Sequence, residues 1–318
     1  DKPGGINTLR HDAASKRKYI MKKDQEIRVG IIQQANTAAV DQNRKRLAEK
    51  ISHASRLGAD LLVMQELQNT LYFCQVEDPA YFRLAEPVPG PSTEFYGDMA
   101  RKHQVVLVAS LFERRRAAIC HNTAVIFERD GNIAGKYRKM HIPDDPGYYE
   151  KYYFTPGDLG FEPVDTSVGR LGVLICWDQW YPEAARLMAL KGAEMLIYPT
   201  AIGWDPKDDE KEKARQLDAW MMVQKGHAIA NALPLVSVNR VGLESDPAGL
   251  SGGIEFWGSS FICGPQGEVL FSADQKNENV SVCAVQMGRS EKVRRNWPFF
   301  RDRRTDHYEG LTQLSIGD

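Results

Sequence analysis

Long apolar runs are missing. No stretch of the 318-residue chain approaches the roughly 20 residues that a membrane-spanning helix requires, so no membrane partner is expected. A charge of one sign is missing too: 41 Lys and Arg stand against 42 Asp and Glu, a formal net charge of -1. Without a global field, neither nucleic acid nor anionic lipid is an expected partner. Cysteine is scarce. Cys74, Cys120, Cys176, Cys263 and Cys283 are odd in number and widely spaced, which excludes a disulfide framework and points to a reducing, cytoplasmic compartment. Cys120-His121 has no second pair at zinc-ligand spacing, so it reads as structural and no metal is expected. Gly242 to Gly253 lacks the Gly-Lys-Ser/Thr order of a phosphate loop and reads as a mobile loop near a site mouth.

The stretch from Asp1 to Ile20 is polar and basic, with no apolar h-region, so it is not a secretory signal. Met21 opens the run KKDQEIRVGII, which reads like a natural start. Residues 1–20 are therefore expected to be a leader or a disordered arm, and residues 21–318 a single domain.

What is present is an alternation of strand-like and helix-like segments. Ile27–Gln34 is short and β-rich. Asn43–Leu57 carries apolar residues at helical spacing, with Gly58 as a helix-ending residue. Ala59–Glu66 is an apolar run of the kind buried on both faces of a sheet. Pro91–His103 fits a helix with Pro in its first turn. Val105–Glu113, Asn122–Glu128 and Ile133–Lys139 read as strands, the last two joined by the turn signal Asp130-Gly131. The second half continues with strand Arg170–Trp177, helix Pro182–Gly192, strand Ala193–Thr200, helix Glu210–Ala232 and four further strands. The mixed-charge run Asp205–Arg215 reads as a solvated helix start. This order predicts mixed α/β architecture with helices covering sheet faces. It leaves open a three-layer sheet or two sheets packed together with helices outside.

Glu66, Lys139 and Cys176 each close or nearly close one of these strands. Ligands of open α/β sheets gather outside the carboxyl ends of strands, so three strands can deliver a carboxylate, an ammonium and a thiol to one place. That trio suits nucleophilic catalysis. A thiolate attacks, a carboxylate takes its proton and later activates water, and an ammonium stabilises the oxyanion with the Trp177 N–H as a second donor. Each residue alone also has a plainer reading: a small buried Cys, a helix-capping Glu, a surface Lys.

Together the segments MQELQNT around Glu66, GKYRKMHIPDDPGYYEKYYFTPGD around Lys139 and GVLICWDQWYPEAARLMALKGAEMLIYPT around Cys176 resemble the nitrilase (carbon–nitrogen hydrolase) superfamily, in the family's order and over roughly Ile27 to Tyr308. The resemblance implies a four-layer αββα sandwich that pairs into homo-oligomers. It implies cofactor-free cleavage of a carbon–nitrogen bond through a Cys acyl-enzyme. Carried over by position, Cys176 is the nucleophile, Glu66 the base and Lys139 the oxyanion stabiliser. A second carboxylate maps to Glu150, which would orient Lys139 or contact substrate.

No Arg or Lys lies between Trp177 and Glu183, so a substrate carboxylate would be poorly paired there. The loop after Lys139 is acidic instead, with Asp144, Asp145 and Glu150, and Tyr148, Tyr149, Trp177 and Trp180 supply rings. Such a pocket suits a cationic amine, although Asp144 and Asp145 also fit a plain turn beside Pro143 and Pro146. Glu150, Trp177 and Asp145 are the expected substrate contacts. The strings CWDQWYPE, HIPDDPGYYEKYYFTPGD and NWPFFRDRR are most similar to family members acting on N-carbamoylputrescine; an N-carbamoyl-β-alanine or ω-amidase activity is the alternative. The basic, aromatic run Arg294–Arg304 is expected to pack on a partner subunit.

Overall fold

The computed structural model describes residues 26–249 and 252–317; the leader expected over residues 1–20 lies outside the described residues. The first half runs β1 (Glu26–Gln33), α1 (Val40–Arg56), β2 (Leu61–Met64), α2 (Pro91–His103), β3 (Val106–Arg116), β4 (Ile119–Phe127) and β5 (Ile133–Arg138). A small ribbon, β6 (Asp144–Asp145) with β7 (Tyr148–Tyr149), and a short helix α3 (Glu150–Tyr153) follow. The second half runs β8 (Val164–Thr166), β9 (Gly169–Val173), α4 (Pro182–Leu190), β10 (Met195–Pro199), β11 (Gly203–Trp204), α5 (Glu210–Asn231) and β12 (Leu235–Val238). It continues with β13 (Val241–Glu244), β14 (Ile254–Trp257), β15 (Phe261–Cys263), β16 (Val269–Ser272), β17 (Asn279–Gln286) and α6 (Arg289–Asn296).

Two six-stranded sheets result, in the orders β17-β1-β2-β3-β4-β5 and β16-β15-β12-β10-β9-β8. In the first, β1, β2 and β3 are parallel and the flanking strands antiparallel. In the second, β9, β10 and β12 are parallel and the flanks again antiparallel. The two sheets thus share one pattern, with no visible trace in the sequence, although β17 from the second half of the chain completes the first sheet.

The continuous apolar runs are explained by burial on both faces. Val29, Ile31, Leu61, Val63, Val106 and Val108 point towards the second sheet and join Leu171, Val173, Ile197 and Val236 in one core. Their neighbours Ile32, Leu62, Met64, Leu107 and Ala109 point the other way, onto Leu47, Ile51, Tyr96 and Ala100 of α1 and α2. Side chains alternate with period two, so a one-residue slip of β2 would exchange these sets. Ala184, Met188 and Trp220 of α4 and α5 close the far side. The layers are therefore helix, sheet, sheet, helix: the expected αββα sandwich.

Several boundaries differ from expectation. Helix α1 starts three residues earlier than Asn43, and α5 stops one residue short of Ala232. Asp209 caps α5, its carboxylate accepting from Lys211 N and Glu212 N, so the acidic run does start a helix. The Gly242–Gly253 segment is not loop throughout: Val241–Glu244 is strand β13, paired with β14. No described helix is long and apolar enough to cross a membrane.

Candidate active site

Glu66 lies two residues beyond β2. The chain turns there because Leu67 takes a left-handed φ of 47°, a conformation that non-glycine residues hold only when their surroundings fix it. Those surroundings are visible. Arg240 Nη2 donates to Glu66 O and Leu67 O, each at 2.9 Å. Leu67 N donates to Ser110 Oγ at 3.2 Å. Glu66 Oε1 accepts from Asn122 Nδ2 at 2.6 Å and Lys139 Nζ at 2.8 Å. Glu66 Oε2 is buried with no hydrogen-bond partner among the described residues.

Lys139 follows β5 directly. Its backbone is tied on both sides, N–H to Asn122 O at 2.9 Å and O to Gly157 N–H at 2.8 Å. Its fully buried ammonium donates to Glu66 and, at 2.7 Å, to Glu150 Oε2. Glu150 Oε1 accepts from Tyr72 O–H at 2.6 Å. Tyr72 N–H donates to Glu244, which pairs with Arg240 at 2.7 Å. The chain Arg240–Glu244–Tyr72–Glu150–Lys139–Glu66 closes on itself, because Arg240 also grips the Glu66 carbonyl. Each buried charge in it has a partner, which is what keeps such a cluster from being ruinous to stability.

Cys176 is not the strand residue that the sequence suggests. Strand β9 ends at Val173, and Cys176 opens a 3₁₀ turn, Cys176–Trp180, with a left-handed φ of 44°. Asp178 holds this turn in place. Its fully buried carboxylate accepts Ile175 N–H at 2.9 Å, Tyr137 O–H at 2.8 Å, and His141 N–H at 3.0 Å, with His141 Nδ1 at 2.7 Å. Residues on both sides of Lys139 are thereby fastened to the residue preceding Cys176. The Cys176 thiol donates to Ala201 O at 3.7 Å.

Electrostatics follows from burial and this charge pattern. Burial pushes the Cys176 thiol well above its ordinary range; the Glu66 carboxylate adds to the rise, and Lys139 opposes it. The rise favours the thiol over the thiolate, and the Glu66 carboxylate that contributes to it keeps one oxygen without a hydrogen-bond partner among the described residues. Burial alone would lower the Lys139 pKa, but Glu150 and Glu66 more than reverse that and hold it charged. For Glu150, burial raises the pKa most; Lys139 pulls it back and Glu66 pushes it further up. Two carboxylates sharing one ammonium leave one excess negative charge, which adds to burial in raising the Glu150 pKa.

A cavity of about 340 Å³ opens onto Cys176, and Asp145, Trp177 and Trp180 line it with Tyr148 and Trp257. Of the expected substrate contacts, Trp177 and Asp145 thus face it. Glu150 does not line it: Lys139 and Tyr72 occupy both its oxygens. Tyr149 lines a neighbouring cavity instead. Asp144 and Asp145 form the ribbon with Tyr148 and Tyr149, turning at Pro146-Gly147 with Gly147 at φ 80°. Asp144 and Asp145 thus belong to a turn, and that turn carries Asp145 into the cavity wall. Sequence reasoning missed Tyr72, Asn122, Arg240 and Asp178. The one sequence signal for any of them was the acidic residue two places after the nucleophile. Cys120 packs among the buried apolar residues around Phe73 and Phe112, and His121 Nδ1 lies 2.9 Å from Thr155 O.

Residues 28–295 match the Carbon-nitrogen hydrolase family model. An N-carbamoylputrescine amidase from Solanum lycopersicum is 42% identical over 92% of this chain and 97% of its own length. A citrullinase from Francisella tularensis is 40% identical over 90% of this chain and 98% of its own. The crystal structure of a carbon-nitrogen hydrolase from Helicobacter pylori G27 is 53% identical and superposes with a TM-score of 0.90, covering 92% of this chain and all of that one.

Proposed function

The chain belongs to the carbon–nitrogen hydrolase family, and from that premise we propose that it hydrolyses N-carbamoylputrescine to putrescine, carbon dioxide and ammonia. The observation that carries this reading is the charge of the cavity at Cys176: among the described residues, Asp145 is the carboxylate in its wall, and neither Lys nor Arg lines it. An aliphatic ammonium gains from that carboxylate and the surrounding rings. A substrate carboxylate, as in N-carbamoyl-β-alanine, would enter unpaired. The same argument disfavours citrulline, whose α-carboxylate has no cation to meet. The similarity to N-carbamoylputrescine amidases supports the reading independently.

The chemistry assigns Glu66 Oε2 to take the thiol proton as Cys176 Sγ attacks the ureido carbonyl. Lys139 Nζ and the Trp177 N–H hold the oxyanion. Glu66 returns the proton to the departing ammonia, leaving an S-carbamoylated Cys176 that still bears the aminobutyl chain. Water activated by Glu66 adds to that thioester and releases the carbamate, which decomposes to putrescine and carbon dioxide. Glu150 orients Lys139, and Asp145 and Trp177 contact substrate. We further propose that residues 21–318 act as one domain, that subunits pair into a homo-oligomer, and that the five unpaired cysteines reflect a cytoplasmic setting for polyamine synthesis.

The test is the intact mass of enzyme quenched in acid during turnover of N-carbamoylputrescine. An adduct on Cys176 retaining the aminobutyl chain is expected. An adduct lacking it would reverse the order of departure, and no adduct with undiminished turnover would contradict covalent catalysis.

A further inference from the structure

Gln216 lies in the second turn of α5 and lines the cavity that reaches Cys176. Its side-chain nitrogen is committed away from that cavity, donating to Asp208 Oδ2 at 3.0 Å and Glu212 Oε1 at 3.3 Å. Ionised carboxylates only accept hydrogen bonds. The opposite amide orientation would set an oxygen against two carboxylates, so the orientation is fixed by its neighbours. The carbonyl Oε1 is the atom left over, and no described donor reaches it.

The other polar groups of the wall are unsuited to a cation. Tyr148 O–H is spent on Gly203, donating to its carbonyl at 3.2 Å and accepting its N–H at 3.0 Å. The indoles of Trp177, Trp180 and Trp257 carry donors only. Beyond the thiol, the wall side chains able to accept from an ammonium are Asp145 and Gln216. Asp208 and Glu212 stand behind Gln216 and polarise its amide with the oxygen negative. Glu212 is partly neutralised by Arg215 at 2.7 Å, which leaves Asp208 the stronger influence.

We infer that Gln216 is a specificity-determining residue: its Oε1 accepts a hydrogen bond from the distal ammonium of the substrate, while Asp145 supplies the opposing charge. This rests on the proposed amine-bearing substrate and adds the group that measures its chain end. A neutral amide there accepts an ammonium without adding a second carboxylate to a site already holding excess negative charge.

The test compares two ureas of equal length, N-carbamoylputrescine and N-pentylurea, on the parent enzyme and on Gln216→Leu, with Gln216→Met as a second variant of closer shape. KM for N-carbamoylputrescine should rise about tenfold or more, the scale of a lost hydrogen bond to a charged group. The parameters for N-pentylurea, which has a methyl in place of the ammonium, should be unchanged or improved. Equal effects on both ureas, or unchanged KM for N-carbamoylputrescine in both variants, overturns the inference alone. A parent enzyme that turns over N-pentylurea but not N-carbamoylputrescine, or neither urea, overturns the amine reading and the inference together.

Discussion

Lys139 Nζ lies 2.7 Å from Glu150 Oε2, and both side chains are fully removed from solvent. This contact sets where the ammonium points. Glu66 and Glu150 hold it from two sides, so it arrives at the reaction already oriented and charged.

Glu150→Gln should therefore lower kcat by about 10²-fold, the scale of a misplaced catalytic group, with KM for N-carbamoylputrescine little changed. Steady-state kinetics checks this. A rise in KM at constant kcat would instead mean that Glu150 contacts substrate.

The two charges beside Cys176 act on its thiol in opposite directions. Glu66→Gln should abolish turnover, by at least about 10²-fold for loss of a general base, and yet shift thiol ionisation to lower pH. Lys139→Met should also abolish turnover and shift ionisation to higher pH. The rate of iodoacetamide alkylation of Cys176 against pH reads both. Shifts of the same sign in the two variants would contradict the placement of these groups.

Much of this site was legible because it hangs on strand ends. The apolar runs ending at Glu66 and Lys139 announce buried strands, and a polar residue closing such a run needs a reason to be there. Cys176 was found although its local structure was misread. LICW has the composition of a strand, and only the paired register of β9 with β10 ends that strand at Val173. The supporting residues were hidden for a different reason. Tyr72 and Glu150 are 78 positions apart and Arg240 and Glu66 174 apart; their meeting is a product of the closed fold, with no spacing in the chain to reveal it. The pattern shared by the two sheets was equally hidden, because a sheet order can recur while the residues filling it change.

Asp178 binds the nucleophile turn to the segment carrying Lys139. Asp178→Asn keeps the shape but turns an amide nitrogen against donors that now meet a carboxylate. Unpartnered buried donors cost about 1–3 kcal/mol each, so stability should fall by at least about 2 kcal/mol in urea unfolding. Cys176 alkylation should change with it, and unchanged alkylation would separate this residue from the nucleophile's positioning.

Glu113 provides an acid-sensitive contribution at the rim of β3. Burial pushes its carboxyl up, but Arg138, Lys136 and Thr123 together hold it at about 2, with Arg138 Nη2 2.7 Å away. Its folded value lies below its ordinary value of 4.5, so the unfolded chain binds the proton first. The stabilisation is complete above about 4.5 and drains as pH falls towards about 2. Glu113→Gln should remove up to about 2 kcal/mol at pH 7, allowing for solvent at the partly exposed Lys136, and far less at pH 3. Denaturant midpoints at the two pH values decide this.

The central claim joins a Cys176 nucleophile to a cavity built for a cationic amine. Ammonia release by the purified protein tests it most directly, with N-carbamoylputrescine and N-carbamoyl-β-alanine in parallel and Cys176→Ala as the blank. Release from N-carbamoylputrescine alone, lost in the variant, is the predicted result. Release from N-carbamoyl-β-alanine alone, or release that survives in Cys176→Ala, would contradict it.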